Sequence, residues 1–156
     1  MDVSKTVTVA VVMNGLLAGV YFAFACAVTP ALGRLDDRSF VEAFRSINTV
    51  IQNGWFLTVL FLAPIVTVVA AVLGGVQRHP SFWLLLAAAV CAVLTFVVTV
   101  VANVPLNDAL DTARTATAGQ YETARSAFEH AWRNWNVVRT VTGVAALALL
   151  AAAKTG

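Results

Sequence analysis

With 156 residues, 60% of them hydrophobic and only 12% charged, and a mean hydropathy of +0.82, the chain is too apolar for an ordinary soluble domain, in which about a quarter of residues carry charge. Its ten Lys and Arg against eight Asp and Glu leave a formal charge of +2, and no basic block offers a footing for nucleic acid. Crossing a hydrocarbon layer of about 30 Å takes roughly 20 apolar residues in a helix. Stretches of that order predict an all-α, integral membrane four-helix bundle, a single domain over 1–156 with spans at 7–30, 54–76, 82–103 and 136–153.

The first span follows Lys5 and is longer than the core of a cleavable signal peptide, so it is expected to persist as a helix. Gly15, Gly19, Ala23 and Ala27 recur every fourth residue and make a small-residue face for a close neighbour, either another helix of the chain or a second copy. Homo-oligomerisation through Gly15, Gly19 and Ala23 is the corresponding partner expectation. Asn14, beside that face, predicts an interhelical hydrogen bond, and Pro30 is expected to end the span. Cys26 and Cys91 both lie in apolar spans, where cysteine acts as a small hydrophobe. Neither suggests a disulfide or a zinc site.

The first connection contains a helix. Ser39 with Glu42 reads as a capping box, and Phe40, Phe44, Ile47 and Ile51 form an apolar stripe that predicts an amphipathic helix lying on the membrane or capping the bundle. In the second span, Pro64 should kink the helix, with Thr67 a candidate to satisfy a freed carbonyl. The second connection, 77–81, is short enough to force antiparallel neighbours, and its His79 reads as a solvated turn residue. The third connection carries a second capping signature at Thr117 and Gln120, followed by a stripe of Tyr121, Ala124, Phe128, Ala131, Trp132 and Trp135. That amphipathic helix can run on unbroken into the fourth span.

Alternation of the spans puts Asn48, Asn53, Asn103, Asn107, Asp108, His130, Asn136 and Arg139 at one end of the bundle, with almost nothing comparable at the other. The elements Gly15-x-x-Ala18-Gly19, Pro30-Ala31-Leu32, Asn103-Val104-Pro105-Leu106-Asn107 and Trp132-x-x-Trp135-Asn136-x-x-Arg139 resemble those of the anthrone oxygenase-like family of small four-span membrane proteins. The resemblance implies oxidation of an anthrone to an anthraquinone by dioxygen with no metal, flavin or haem cofactor. Its implied setting is a bacterial cytoplasmic membrane.

An electron-rich carbanion can react with dioxygen itself, so such a site needs a base, an oxyanion partner and a dry cavity. Asp108 and His130 are the available bases, with Arg139 completing the expected catalytic set. Asn103, Asn107, Trp132, Trp135 and Asn136 are the expected substrate-binding donors. Each has a plainer reading beside it. Arg139 can snorkel or pair with Asp108, Asn103 and Asn107 can cap helix ends around Pro105, the tryptophans suit an interfacial belt, and His130 suits a solvated surface.

The bilayer, a hydrophobic small molecule and dioxygen are the expected partners. A haem reading fails on ligands, since His79 and His130 are the only histidines and Met13 is the one mid-span methionine. The alternative function is non-catalytic: binding of a small lipophile, or service as an accessory subunit of a membrane complex. Arg34, Arg38, Arg45, Arg114, Arg125 and Arg133 on the polar side, against Lys5, Arg78 and Lys154 on the other, favour a cytoplasmic polar side.

Overall fold

A computed structural model describes residues 2–155, and every regular element among the described residues is helical. The helices are α1 (Val3–Ala23), α2 (Thr29–Leu32), α3 (Asp37–Ile51), α4 (Gly54–Val76), α5 (Phe82–Val98), α6 (Val104–Thr112) and α7 (Ala118–Thr155). A π-turn, Phe24–Val28, joins α1 to α2, and a second, Thr99–Asn103, joins α5 to α6. The chain therefore has four continuous apolar helices long enough to cross a membrane, Val3–Leu32, Gly54–Val76, Phe82–Thr112 and Ala118–Lys154. It is an integral membrane four-helix bundle. The packing order is a ring, α1 against α4, α4 against α5, α5 against α7 and α7 against α1.

Lipid tails are as apolar as leucine, so helices in a bilayer associate through close packing and polar contacts rather than through water exclusion. Close packing is visible at Gly74, where a Cβ would come within 2.7 Å of Leu85 Cδ1, so a side chain there would require Leu85 to shift. Polar contacts tie the ring. Asn14 Nδ2 donates to Thr67 Oγ1 at 2.8 Å, joining α1 to α4, as expected of a lone amide in an apolar helix. Tyr21 and Thr99 join α1 to the second π-turn at 3.2 Å, and Thr95 and Thr142 join α5 to α7 at 2.7 Å. Thr67 does not serve the carbonyl freed by Pro64. Its hydroxyl donates to Ala63 O, four residues back, whereas proline at 64 frees the carbonyl of Leu60.

Pro30, expected to end the first span, does not end it, and Pro105 does not end the third. In each case a π-turn lies just upstream: Thr29 N–H bonds Phe24 O before Pro30, and Val104 N–H bonds Thr99 O before Pro105. The i→i+5 turn admits one extra residue, which moves the carbonyl that a proline ring would strike in a regular helix. The first helix thus reaches Leu32 instead of residue 30, and the third reaches Thr112 instead of 103. The fourth span is the C-terminal part of the 38-residue α7.

Outside the ring, α3 lies against α6 and α7. Its apolar stripe does cap the bundle end, with Phe40 and Phe44 buried and Phe44 edge-on to Phe128 at 4.6 Å and to Trp132 at 4.9 Å. The expected capping box at Ser39 is displaced. Asp36 is the N-cap, accepting from Ser39 N–H at 3.1 Å, because the helix begins two residues before Ser39, and Glu42 instead pairs with Arg38 at 2.8 Å. At the start of α7, Gln120 Oε1 reaches back to Ala116 N–H at 2.7 Å, half of the expected arrangement shifted by one residue. Two arginines fasten α3: Arg125 donates to Gly33 O, Leu35 O and Asp37, and Arg45 donates to Leu110 O, Ala113 O and Thr115 at the C-terminal end of α6. On the small-residue face, Gly19 and Ala23 are exposed, and the close approach of α1 to α7 falls at Ala18 and Gly143 instead.

Candidate functional site

Beneath α3 the ring encloses a cavity of about 180 Å³. Its walls are largely apolar, with Val20, Phe24, Phe44, Ile47, Phe56 and Leu60 among them. Its polar lining is Tyr21, Asn48, Gln52, Thr99, Asn103, Asn107, Asp108 and Arg139, with the Trp132 indole. Both π-turns contribute, through Phe24 and through Thr99 and Asn103. Of the lining side chains, Gln52, Leu57, Val104 and Asp108 are exposed, so the mouth lies between the start of α4 and the α5–α6 junction.

Arg139 stands at the inner end. It is only 5% exposed, yet among the described residues no carboxylate pairs with its guanidinium. Neutral groups hold it: Nη2 donates to Asn136 Oδ1 at 3.0 Å, and the guanidinium lies over the Tyr21 ring at 4.4 Å and the Trp132 ring at 5.3 Å. Its Nε has no partner. Neither plain reading of Arg139 survives, since it neither snorkels out nor pairs with Asp108.

Asn103 is 1% exposed and neither its Oδ1 nor its Nδ2 has a partner. It caps no helix end, because the chain stays helical through it. Buried unpaired amides are rare in folded proteins, each costing about 1–3 kcal/mol. This one stands on the cavity wall. The nearby hydroxyls are committed: Thr99 donates to Thr95 O, which leaves Tyr21 to donate to Thr99, and its phenolic oxygen accepts from the Arg139 guanidinium.

Asn107 forms no cap either. Its Nδ2 donates to Asn48 Oδ1 at 2.8 Å, its Oδ1 accepts from Trp132 Nε1 at 2.8 Å, and Asn48 Nδ2 donates to Asp111 Oδ2 at 2.6 Å. This chain of amides links α3 to the tryptophan that covers Arg139. Asn136 is buried behind Arg139, and its Nδ2 donates to Tyr21 O at 3.3 Å.

Two expected site residues stand elsewhere. His130 is exposed and contacts Arg133 one turn along α7, so it is a surface histidine and not part of the cavity. Trp135 is 43% exposed and lies on an outer apolar groove with Val97, Val101, Pro105 and Leu106. Reasoning from sequence missed Tyr21, Thr99 and Asn48 as site residues. A signal was present, since Thr95, Thr99 and Asn103 repeat every fourth residue within an apolar span and so share one helix face. Among the described residues, no three His, Cys, Asp or Glu side chains gather as ligands for a metal ion.

The family model for anthrone oxygenases matches residues 49–149. The chain belongs to the anthrone oxygenase family. The matched stretch holds α4, α5, α6 and most of α7, and with them Asn103, Asn107, Asp108, Trp132, Asn136 and Arg139. Tyr21, Phe44 and Asn48 lie before it. No curated protein and no solved structure matches the chain.

Proposed function

We propose that the chain is a cofactor-independent oxygenase acting on a lipophilic anthrone-like or polycyclic phenolic substrate. The observation that carries this reading is the buried Arg139 guanidinium, with no carboxylate partner and a free Nε–H, on the wall of the same largely apolar cavity as the unpaired Asn103 amide, in a member of the anthrone oxygenase family. A buried cation without a counter-ion favours the anionic form of whatever binds next to it.

In the proposed reaction, Asp108 at the mouth takes a proton from the methylene between two aryl rings. The resulting anion, its charge delocalised onto the ring oxygen, is held by Arg139 and Asn103. The carbanion carbon gives its electron pair to dioxygen, forming a carbon–oxygen bond and a peroxide. Loss of the second methylene proton and cleavage of the oxygen–oxygen bond leave a carbonyl and water. The balance is R2CH2 + O2 → R2CO + H2O, with the substrate as the only reductant. A cavity of about 150 Å³ holds benzene, so the 180 Å³ here suits one ring at the inner end, with the remainder of a larger substrate reaching towards Gln52, Leu57, Val104 and Asp108.

The same cavity would serve a lipophile-binding or accessory protein without catalysis. Incubating the purified protein in lipid nanodiscs with an anthrone under dioxygen separates the two. Quinone formation faster than in empty nanodiscs, lost on Arg139→Ala, is expected of the oxygenase; binding without turnover sinks it. The proposed setting is a bacterial cytoplasmic membrane with α3 on the cytoplasmic side, on the arginine count of its connections. The exposed Gly19 and Ala23 are the proposed contact for a second copy.

A further inference from the structure

The inner end of the cavity can be characterised by its inventory of free groups. The free donors are Arg139 Nε–H and the Asn103 amide N–H pair, and the free acceptor is Asn103 Oδ1, while the Tyr21 phenolic oxygen is engaged by Thr99 and the Arg139 guanidinium. Tyr21, Asp108 and Arg139 are the titratable groups on the lining, and only Asp108, at the mouth, is exposed. The charges are thus separated along the cavity, a cation at the closed end and a carboxylate at the open one. A preformed anion is repelled at the mouth and stabilised at the floor. A neutral acid meets neither obstacle, since Leu57 and Val104 beside the mouth are exposed and apolar.

The ring walls supply the rest of the specificity. Phe24 and Trp132 are 5.7 Å apart and Phe44 and Trp132 4.9 Å apart, centroid to centroid, and all three line the cavity. The volume, about 180 Å³, exceeds the roughly 150 Å³ that accommodates benzene by little more than a polar substituent.

We propose that the inner end is a receptor for one-ring acidic phenols, which pass the mouth neutral and are bound as phenolates, oxygen against Arg139 and the Asn103 amide and ring against the wall formed by Phe24, Phe44 and Trp132. Binding breaks the phenol O–H bond, leaves the electron pair on the phenolate oxygen and releases one proton to the buffer. This rests on the anionic-substrate half of the function proposed above and not on its oxidation half.

The probe is 4-nitrophenol, whose phenolate has its own visible absorption, titrated into protein in phosphatidylcholine nanodiscs at a pH below the probe's pKa in water. The expected result is a saturable phenolate band beyond that of empty nanodiscs. The bound probe shifts towards the anion by about tenfold or more relative to buffer, and one proton appears per site in weak buffer. Arg139→Met should abolish the band, Asn103→Leu should weaken binding about tenfold, and Lys5→Gln, which removes one positive charge at the far end of the bundle, should leave it unchanged. Each variant is compared at equal helical content, and probe binding by wild type alone keeps the test intact if a variant fails to fold. Saturable binding of the neutral phenol with no phenolate band, no saturable binding, or an undiminished band in folded Arg139→Met would each overturn the proposal. Anthrone turnover without phenolate binding refutes this receptor and leaves the oxygenase reading standing, whereas phenolate binding without turnover does the reverse.

Discussion

Replacing Arg139 with methionine tests whether that side chain serves the fold or a ligand. The arginine makes two ring contacts, with Tyr21 at 4.4 Å and Trp132 at 5.3 Å, each about 0.5–2 kcal/mol. It also makes a charge-assisted hydrogen bond to Asn136 at 3.0 Å, about 1.5–3 kcal/mol. Losing these costs roughly 2.5–7 kcal/mol in all. Against that, methionine removes a buried cation that no carboxylate compensates, a burden of several kcal/mol, and an unpaired Nε–H, about 1–3 kcal/mol. The two sides nearly cancel, and the unbranched methionine can follow the arginine stem. Arg139→Met should therefore change the stability by no more than about 2 kcal/mol in either direction, while activity and phenolate binding disappear. A structural anchor would behave differently, since breaking a compensated buried ion pair costs about 3–5 kcal/mol. Reversible unfolding in lipid–detergent micelles, followed by helical circular dichroism, gives the difference. A loss above about 3 kcal/mol would show that the guanidinium holds the bundle together and would refute its assignment to a ligand.

Asn103→Leu removes two buried unpaired atoms, so it should leave the fold as stable or up to about 3 kcal/mol more stable by the same unfolding measurement. Its substrate affinity should fall about tenfold, the equivalent of 1.4 kcal/mol. Phe44→Ala takes away the ring wedged between Phe128 and Trp132 and should cost about 3–5 kcal/mol, with amide exchange rising along α3 before it rises in α4. The start of α3 should loosen in acid. Hydrogen bonds from Ser39 hold the Asp36 carboxyl below the usual range, and those from Arg38 first and Tyr121 second do the same for Glu42. Their depressed folded values mean that the stabilisation is complete at neutral pH and is lost as pH falls below the ordinary carboxylate range, near 4. Faster exchange over 37–42 below that pH is expected; a comparable rise between pH 8 and 6 would contradict it.

The membrane class, the approximate spans and the capping role of Phe40 and Phe44 were legible because each rests on a periodicity or a length that water and lipid enforce directly. The ends of the first and third helices were not, because a proline was read as a stop and a π-turn leaves no compositional mark. At the site, nearness in sequence stood in for nearness in space. Phe128, Trp132, Asn136 and Arg139 follow one another at four, four and three residues and face inward, whereas His130 is two residues past Phe128, about 200° around the helix. Counting turns would have excluded it. Tyr21 could not be assigned in the same way, because its role depends on a partner, Arg139, more than a hundred residues away.

At about 1.5 Å per residue, α7 is about 57 Å long, roughly twice the hydrocarbon thickness. One rod thus carries both Arg139, at the start of its apolar C-terminal part, and, nearer its N-terminus, the surface on which α3 is fastened through Arg125, Phe128 and Trp132. Yet α3 is joined in sequence to α4, through residues 52 and 53, beside the mouth. A helix in a bilayer thinner than its apolar length tilts. Tilting α7 swings α3 with it and strains the short join to α4, so the width of the mouth becomes coupled to acyl-chain length. Admission to the cavity is then expected to vary with the membrane in which the protein sits, a lipid composition that changes thickness acting on the mouth without touching it.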